Sequence, residues 1–80
     1  MKAADFLREV DPDLLNPKRF MIVTLLYALG AMTLGELRRA LGVSWGDLDS
    51  NVRRLVGKGY VSLRRSLGRV RALEVHAELT

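Results

Sequence analysis

The chain has 80 residues, 49% of them hydrophobic and 28% charged, with a formal net charge of +4; this is enough for one small domain with a thin core, to which association with a partner would add. The absence of cysteine excludes a disulfide scaffold, a cysteine-ligated zinc finger and a cysteine nucleophile, and gives no sign of an oxidising compartment. No apolar run approaches the roughly 20 residues that span a bilayer, and Asp5 falls where a secretory signal would begin its apolar stretch, so an unprocessed, soluble, cytoplasmic protein is expected.

Ala3, Phe6, Leu7 and Val10 recur at helical spacing, with Lys2, Asp5, Arg8 and Glu9 on the other side. This predicts a short amphipathic helix ended by Pro12. Asn16-Pro17 is a helix start, asparagine as N-cap and proline at the first helical position. The helix that follows, over 17–29, is apolar almost all round, a pattern that predicts cover on both sides. Gly30 closes it.

Thr33-Leu34-Gly35-Glu36 has capping-box form and opens a short helix with Leu34, Leu37 and Leu41 inward and Arg38 and Arg39 outward. Gly42 stops it. Ser44 caps a third helix two residues later, with Asp47 standing in for the capping-box glutamate. Leu48, Val52 and Leu55 form its buried row, which leaves Trp45, Asp49, Ser50, Arg53 and Arg54 on the opposite face. After Gly57-Lys58-Gly59, the run 60–65 alternates with period 2, as does 72–79, and Ser66-Leu67-Gly68-Arg69 reads as the hairpin turn between them.

The charge is uneven. From Asn51 to Ala72 there are seven basic residues (Arg53, Arg54, Lys58, Arg64, Arg65, Arg69 and Arg71) and no acid. Two short helices joined by a tight turn, the second displaying polar and basic residues and followed by a basic hairpin, make a helix-turn-helix with a wing. The major groove of B-DNA admits one helix, and a wing carrying arginines suits phosphates or the adjoining minor groove. The fold expected is therefore mainly α (α+β): a winged helix-turn-helix with a three-helix core, a β-hairpin wing and an extra N-terminal helix. Its parts are 1–15 as N-terminal helix and linker, 16–59 as helical core and 60–79 as wing, together one domain over 1–80.

The strings Asn16-Pro17-Lys18-Arg19-Phe20-Met21-Ile22, then 41–55 (LGVSWGDLDSNVRRL), then Gly59-Tyr60-Val61 resemble the winged-helix transcriptional regulators of the MarR/ArsR type. The likeness is to compact archaeal and bacterial members with an NPxRxxIL … LGLSxGNLSxHLxxLExxGYV pattern, and it covers about 14–71. It implies a dimeric DNA-binding regulator whose recognition helix is 44–57. Asn51 stands where such proteins usually have histidine, a change expected to affect packing more than recognition. The family pattern also runs on into a dimerising C-terminal helix, whereas this sequence ends at Leu79-Thr80. The expectation is a homodimer through the N-terminal helices, using Phe6, Leu7, Val10, Leu14, Phe20, Val23 and Tyr27.

The candidate DNA contacts are Thr33, Ser44, Trp45, Asp49, Ser50, Arg53, Arg54, Arg64, Arg65, Arg69 and Arg71. Arg53 and Arg54 suit base edges, and Ser50 a base or a phosphate. Asp49 either accepts from a cytosine amino group or orients Arg53 four residues on. Trp45 either touches DNA or folds back as an apolar lid. Thr33 is a helix cap that also offers its amide and hydroxyl to phosphate. Arg64 and Arg65 cannot both face the same way on a strand, and Arg69 suits the minor groove. His76, between Glu74 and Glu78, lacks converging ligands for a metal and reads as part of a charged surface row. No cofactor is expected, and no constellation of catalytic residues is present. A winged-helix protein–protein interaction module stays open as the alternative.

Overall fold

The computed structural model describes residues 11–67 and 73–80; the helix expected over 3–10, with Phe6, Leu7 and Val10, lies outside them, as do Arg69 and Arg71. Pro12, expected to end that helix, begins an element of its own. The Asp11 carboxylate accepts from the Asp13 amide at 2.9 Å and caps a single 3-10 turn, Pro12–Leu15.

Asn16 then caps α1 (Pro17–Leu29), its side-chain oxygen accepting from the Lys18 and Arg19 amides at 3.1 and 3.2 Å. Proline at the first position has no amide to leave unsatisfied. Gly30, at φ 81°, turns the chain out of the helix. A two-residue strand, β1 (Met32–Thr33), follows, too short for any alternation to announce it. Thr33 and Glu36 form the reciprocal capping box of α2 (Leu34–Leu41), which Gly42 ends in the left-handed conformation at φ 67°. Ser44 caps α3 (Trp45–Gly57) through the Asp47 amide. The Asp47 carboxylate takes up Lys18 and Asn51 instead of completing a capping box.

The hairpin is longer than the sequence pattern suggests. β2 (Val61–Leu67) pairs antiparallel with β3 (Leu73–Leu79), in register from Val61 opposite Leu79 to Leu67 opposite Leu73. Ser66 and Leu67, expected in the turn, are strand residues. β3 also pairs with β1, Met32 opposite Ala77 and Thr33 opposite His76, giving a three-stranded sheet ordered β1-β3-β2. The middle strand thus ties the hairpin to the start of α2.

Each element sends a few side chains into one core: Ile22 and Leu26 from α1, Met32, Leu37 from α2, Leu48, Val52 and Leu55 from α3, then Val61 and Ala77. Three helices with this sheet make a winged helix-turn-helix.

Among the described residues, the apolar helix α1 is covered on one side. Only Ile22 and Leu26, one turn apart, are buried, while Phe20, Tyr27 and Leu29 are 58, 84 and 67% exposed. Of the residues expected at a subunit interface, Leu14 and Val23 pack against the core's edge, and Phe20 and Tyr27 stand on the open side. A domain this size has too few elements to enclose a helix completely. No helix among the described residues is long and apolar enough to cross a membrane.

Candidate nucleic-acid interface

The core consumes one side of α3, where Leu48, Asn51, Val52 and Leu55 are buried. At 3.6 residues per turn, Ser50 and Arg53 project from the opposite side, flanked by Asp49, and all three are exposed. Arg53 Nε lies 2.9 Å from the Asp49 carboxylate, one turn earlier. Pairs as exposed as this are weak. The guanidinium is therefore oriented by Asp49 but remains available to a stronger acceptor.

Trp45 occupies the first position of α3 and leans back on α2. The Arg38 guanidinium sits 5.0 Å from its ring centroid. A Cβ at Gly35 would come within 3.9 Å of the ring. Arg38 is thus half-buried instead of pointing outward, and its Nε is shut off from solvent without a hydrogen-bond partner among the described residues. The ring face supplies part of the compensation for that cation. Trp45 is nonetheless 57% exposed, so it is both packed and presented. It separates two hollows, one of about 390 Å³ reaching Thr33, Arg39 and Glu74, and one of about 510 Å³ bounded by Leu48, Val52, Arg53 and Leu63.

The second hollow places Leu63 of β2 on the same side as Arg53. Val61 is in the core and Leu63 follows it on that strand face, so alternation puts Arg65 next along the face that looks toward α3. Arg64 lies on the other face, opposite His76 in register. There the His76 ring nitrogen Nδ1 meets the Ser66 hydroxyl at 3.1 Å. Of the two adjacent arginines, Arg65 is the one that shares a side with Arg53.

Thr33 and Ser44 are both occupied as caps. The Thr33 amide donates to the Glu36 carboxylate at 3.2 Å, and its hydroxyl accepts from the Glu36 amide at 3.0 Å. These bonds hold the Glu36 carboxyl below its ordinary range. An ionised carboxylate at this helix end occupies the place a phosphate would take, so the Thr33 amide is not free.

Arg54 departs furthest from expectation. Its Nε lies 3.1 Å from the carboxylate of Asp13, which is buried at the start of the chain's described part. Lys58 reaches the same carboxylate at 3.4 Å and Asp11 at 3.7 Å. Asp11 is fixed by the Asp13 amide and by the Tyr60 hydroxyl, which donates at 2.9 Å. The amide's bond first, then the hydroxyl's, draws the Asp11 carboxyl below its ordinary value, and the hydroxyl's bond to Asp11 pushes the Tyr60 phenol up. Arg19 completes the cluster: Nε donates to the Asp13 carbonyl at 2.7 Å and a terminal nitrogen to the Asn51 side-chain oxygen at 3.0 Å. Asn51 in turn donates to the Asp47 carbonyl at 2.9 Å.

The sequence reading singled out neither Asp11 nor Asp13. Two acids bracketing a proline before a helix cap were the available signal, and nothing local joins them to bases more than 40 positions on. Asn51, expected to alter packing, is buried and hydrogen-bonds α1 to α3.

The whole chain superimposes on 77% of a transcriptional regulator homologue from Pyrococcus horikoshii with a TM-score of 0.83 at 22% identity, a likeness of fold. The transcriptional repressor BigR from Xylella fastidiosa matches at 27% identity and a TM-score of 0.72, over 96% of this chain and 66% of BigR. A mutant MarR from E. coli, complexed with operator DNA, matches at 28% identity and 0.69, over 80% of this chain and 44% of MarR. Comparison with curated protein sequences gives no match. The sequence profile that matches is that of the MarR family, over residues 15–68. With well over half of its length inside that match, the chain belongs to the MarR family.

Proposed function

We propose that the chain is a transcriptional regulator that binds double-stranded DNA sequence-specifically, with α3 in the major groove and the β2–β3 hairpin on the backbone or adjoining minor groove. The observation that carries this reading is the shared outward side of Ser50 and Arg53 on α3, with Leu63 of β2 beside Arg53; strand alternation extends that side to Arg65. Family membership and the operator complex of the E. coli relative support it. Arg53, already aimed by Asp49, reads a base edge; Ser50 and Trp45 contact base or sugar; Arg65 and Arg71 grip phosphate, and Arg69 enters the minor groove. Ser44 offers its hydroxyl beside the helix N-terminus.

The open apolar side of α1, with Phe20 and Tyr27, takes a second copy of the chain, and a two-fold pair then reads two half-sites. The same exposed side is what favours the alternative, a winged-helix module that binds protein without DNA specificity.

Selection of duplexes from a random pool, followed by binding across a salt series, tests the reading. A symmetric consensus and a log K falling by about 0.9 per neutralised phosphate for each log of salt are expected. Arg53→Ala relaxes preference at one position of each half-site, whereas Arg65→Ala weakens all duplexes alike. No duplex affinity even at low salt overturns the proposal in favour of the interaction module.

A further inference from the structure

Resting on that DNA-binding reading, we propose that the Asp11–Asp13 turn is a built-in counter-ion for the C-terminal end of α3, holding Arg54 and Lys58 away from polyanion phosphate and confining the phosphate-binding surface to the rest of the basic stripe. The two acids are placed for this. Asp13 is buried and its backbone carbonyl is pinned by Arg19, so its carboxylate stays where Arg54 and Lys58 find it, at 3.1 and 3.4 Å. Asp11 is anchored from two sides, by the Asp13 amide and the Tyr60 hydroxyl, and faces Lys58 from the other flank at 3.7 Å.

An ion pair between two free surface side chains lets go easily, because both partners gain water and rotamer freedom. Here the acidic partner is already ordered, so a phosphate arriving at Arg54 or Lys58 must displace a fixed carboxylate or share the cation with it. Two negative charges thereby offset two of the seven positive charges of 51–72. The stripe is shorter in space than in sequence. Since non-specific affinity for duplex DNA grows with the number of phosphates neutralised, this turn lowers binding to random sequence while leaving Arg53 free to read.

The test compares four full-length chains: wild type, Asp11→Asn/Asp13→Asn, Arg54→Ala/Lys58→Ala, and the combination of all four substitutions. Each is eluted from heparin and titrated with a random-sequence duplex across a salt series, with circular dichroism to establish folding. Arg54→Ala/Lys58→Ala uncovers the two acids and is expected to elute earlier, but to keep the wild-type salt slope, because neither cation neutralises a phosphate. Asp11→Asn/Asp13→Asn is expected to elute later, to bind the duplex roughly tenfold tighter at low salt and to steepen the slope by up to about 1.8. That gain must vanish in the fourfold variant; a gain that persists there is a general charge effect and overturns the proposal. So does a shallower slope for Arg54→Ala/Lys58→Ala. That variant leaves the acids in place and decides the matter if the asparagine pair does not fold. A wild-type chain that binds no duplex defeats the DNA reading alone, because the heparin comparison among the four chains still decides whether the acids screen Arg54 and Lys58.

Discussion

α1 and α3 are each 13 residues long, and they use their length in opposite ways. α1 is apolar nearly all round yet buries only Ile22 and Leu26, while α3 alternates apolar and polar groups and buries four residues, one of them Asn51. The more apolar helix buries fewer residues, so pattern and not total hydrophobicity decides how much of a helix the core takes up. A helix with one apolar stripe is satisfied by one core, whereas a helix with two must leave one open when only one core exists. α3 thus offers solvent a polar, charged face fit for a polyanion, and α1 offers an apolar face fit for protein.

Substitutions on the two helices put this contrast at risk in different degrees. The largest expected effect is Leu55→Ala: the side chain is fully buried, and its removal costs about 2–5 kcal/mol of folding stability in a denaturant titration. Asn51→Ala comes next, at about 1–3 kcal/mol, because the half-buried guanidinium of Arg19 loses its acceptor and the Asp47 carbonyl its donor. If it costs nothing, the polar bridge between α1 and α3 is not holding them together. Ser44→Ala, which removes the N-cap of α3, costs about 1 kcal/mol.

A smaller effect concerns pH. Asp11 and Glu36 have folded-state pKa values below their ordinary 3.8 and 4.5. Their contribution is therefore complete above those values and is lost as pH falls through the lower, folded ones. Tyr60 has the opposite sign, raised above 10.0, so its contribution is complete below that value and is lost as pH rises through the folded one. Melting temperatures measured against pH should fall at both ends, and Asp11→Asn should flatten both limbs, since Asp11 is the first cause of the Tyr60 shift. The least effect on folding belongs to the open side of α1. Phe20→Ser with Tyr27→Ser should change stability by less than about 0.5 kcal/mol each yet abolish self-association in sedimentation. A large loss of stability would mean that this side is already covered within one chain.

Much of the fold was legible because its signals are local. Asn16-Pro17, Thr33 with Glu36, Gly42 and Ser44 set the helix boundaries, and the observed helices begin and end where those residues place them. The hairpin was found by alternation, but its length was not, because Ser66 and Leu67 look like turn residues until Glu74 and Leu73 pair with them. β1 offered two residues and no period. At the candidate site, the exposed face of α3 followed from the spacing of Leu48, Val52 and Leu55, whereas the fate of Arg54 did not.

By itself the sequence determined where each helix starts, which side of α3 is apolar and that a basic hairpin follows it, since capping, periodicity and alternation act over a few residues. Only the tertiary structure decided which of the basic residues meet acids. Arg54 and Arg53 are neighbours on one helix, but one faces Asp13, 41 positions away, and the other meets Asp49 one turn away. Coulomb interaction depends on distance in space, and the distance between Asp13 and Arg54 is set by the packing of α1 against α3.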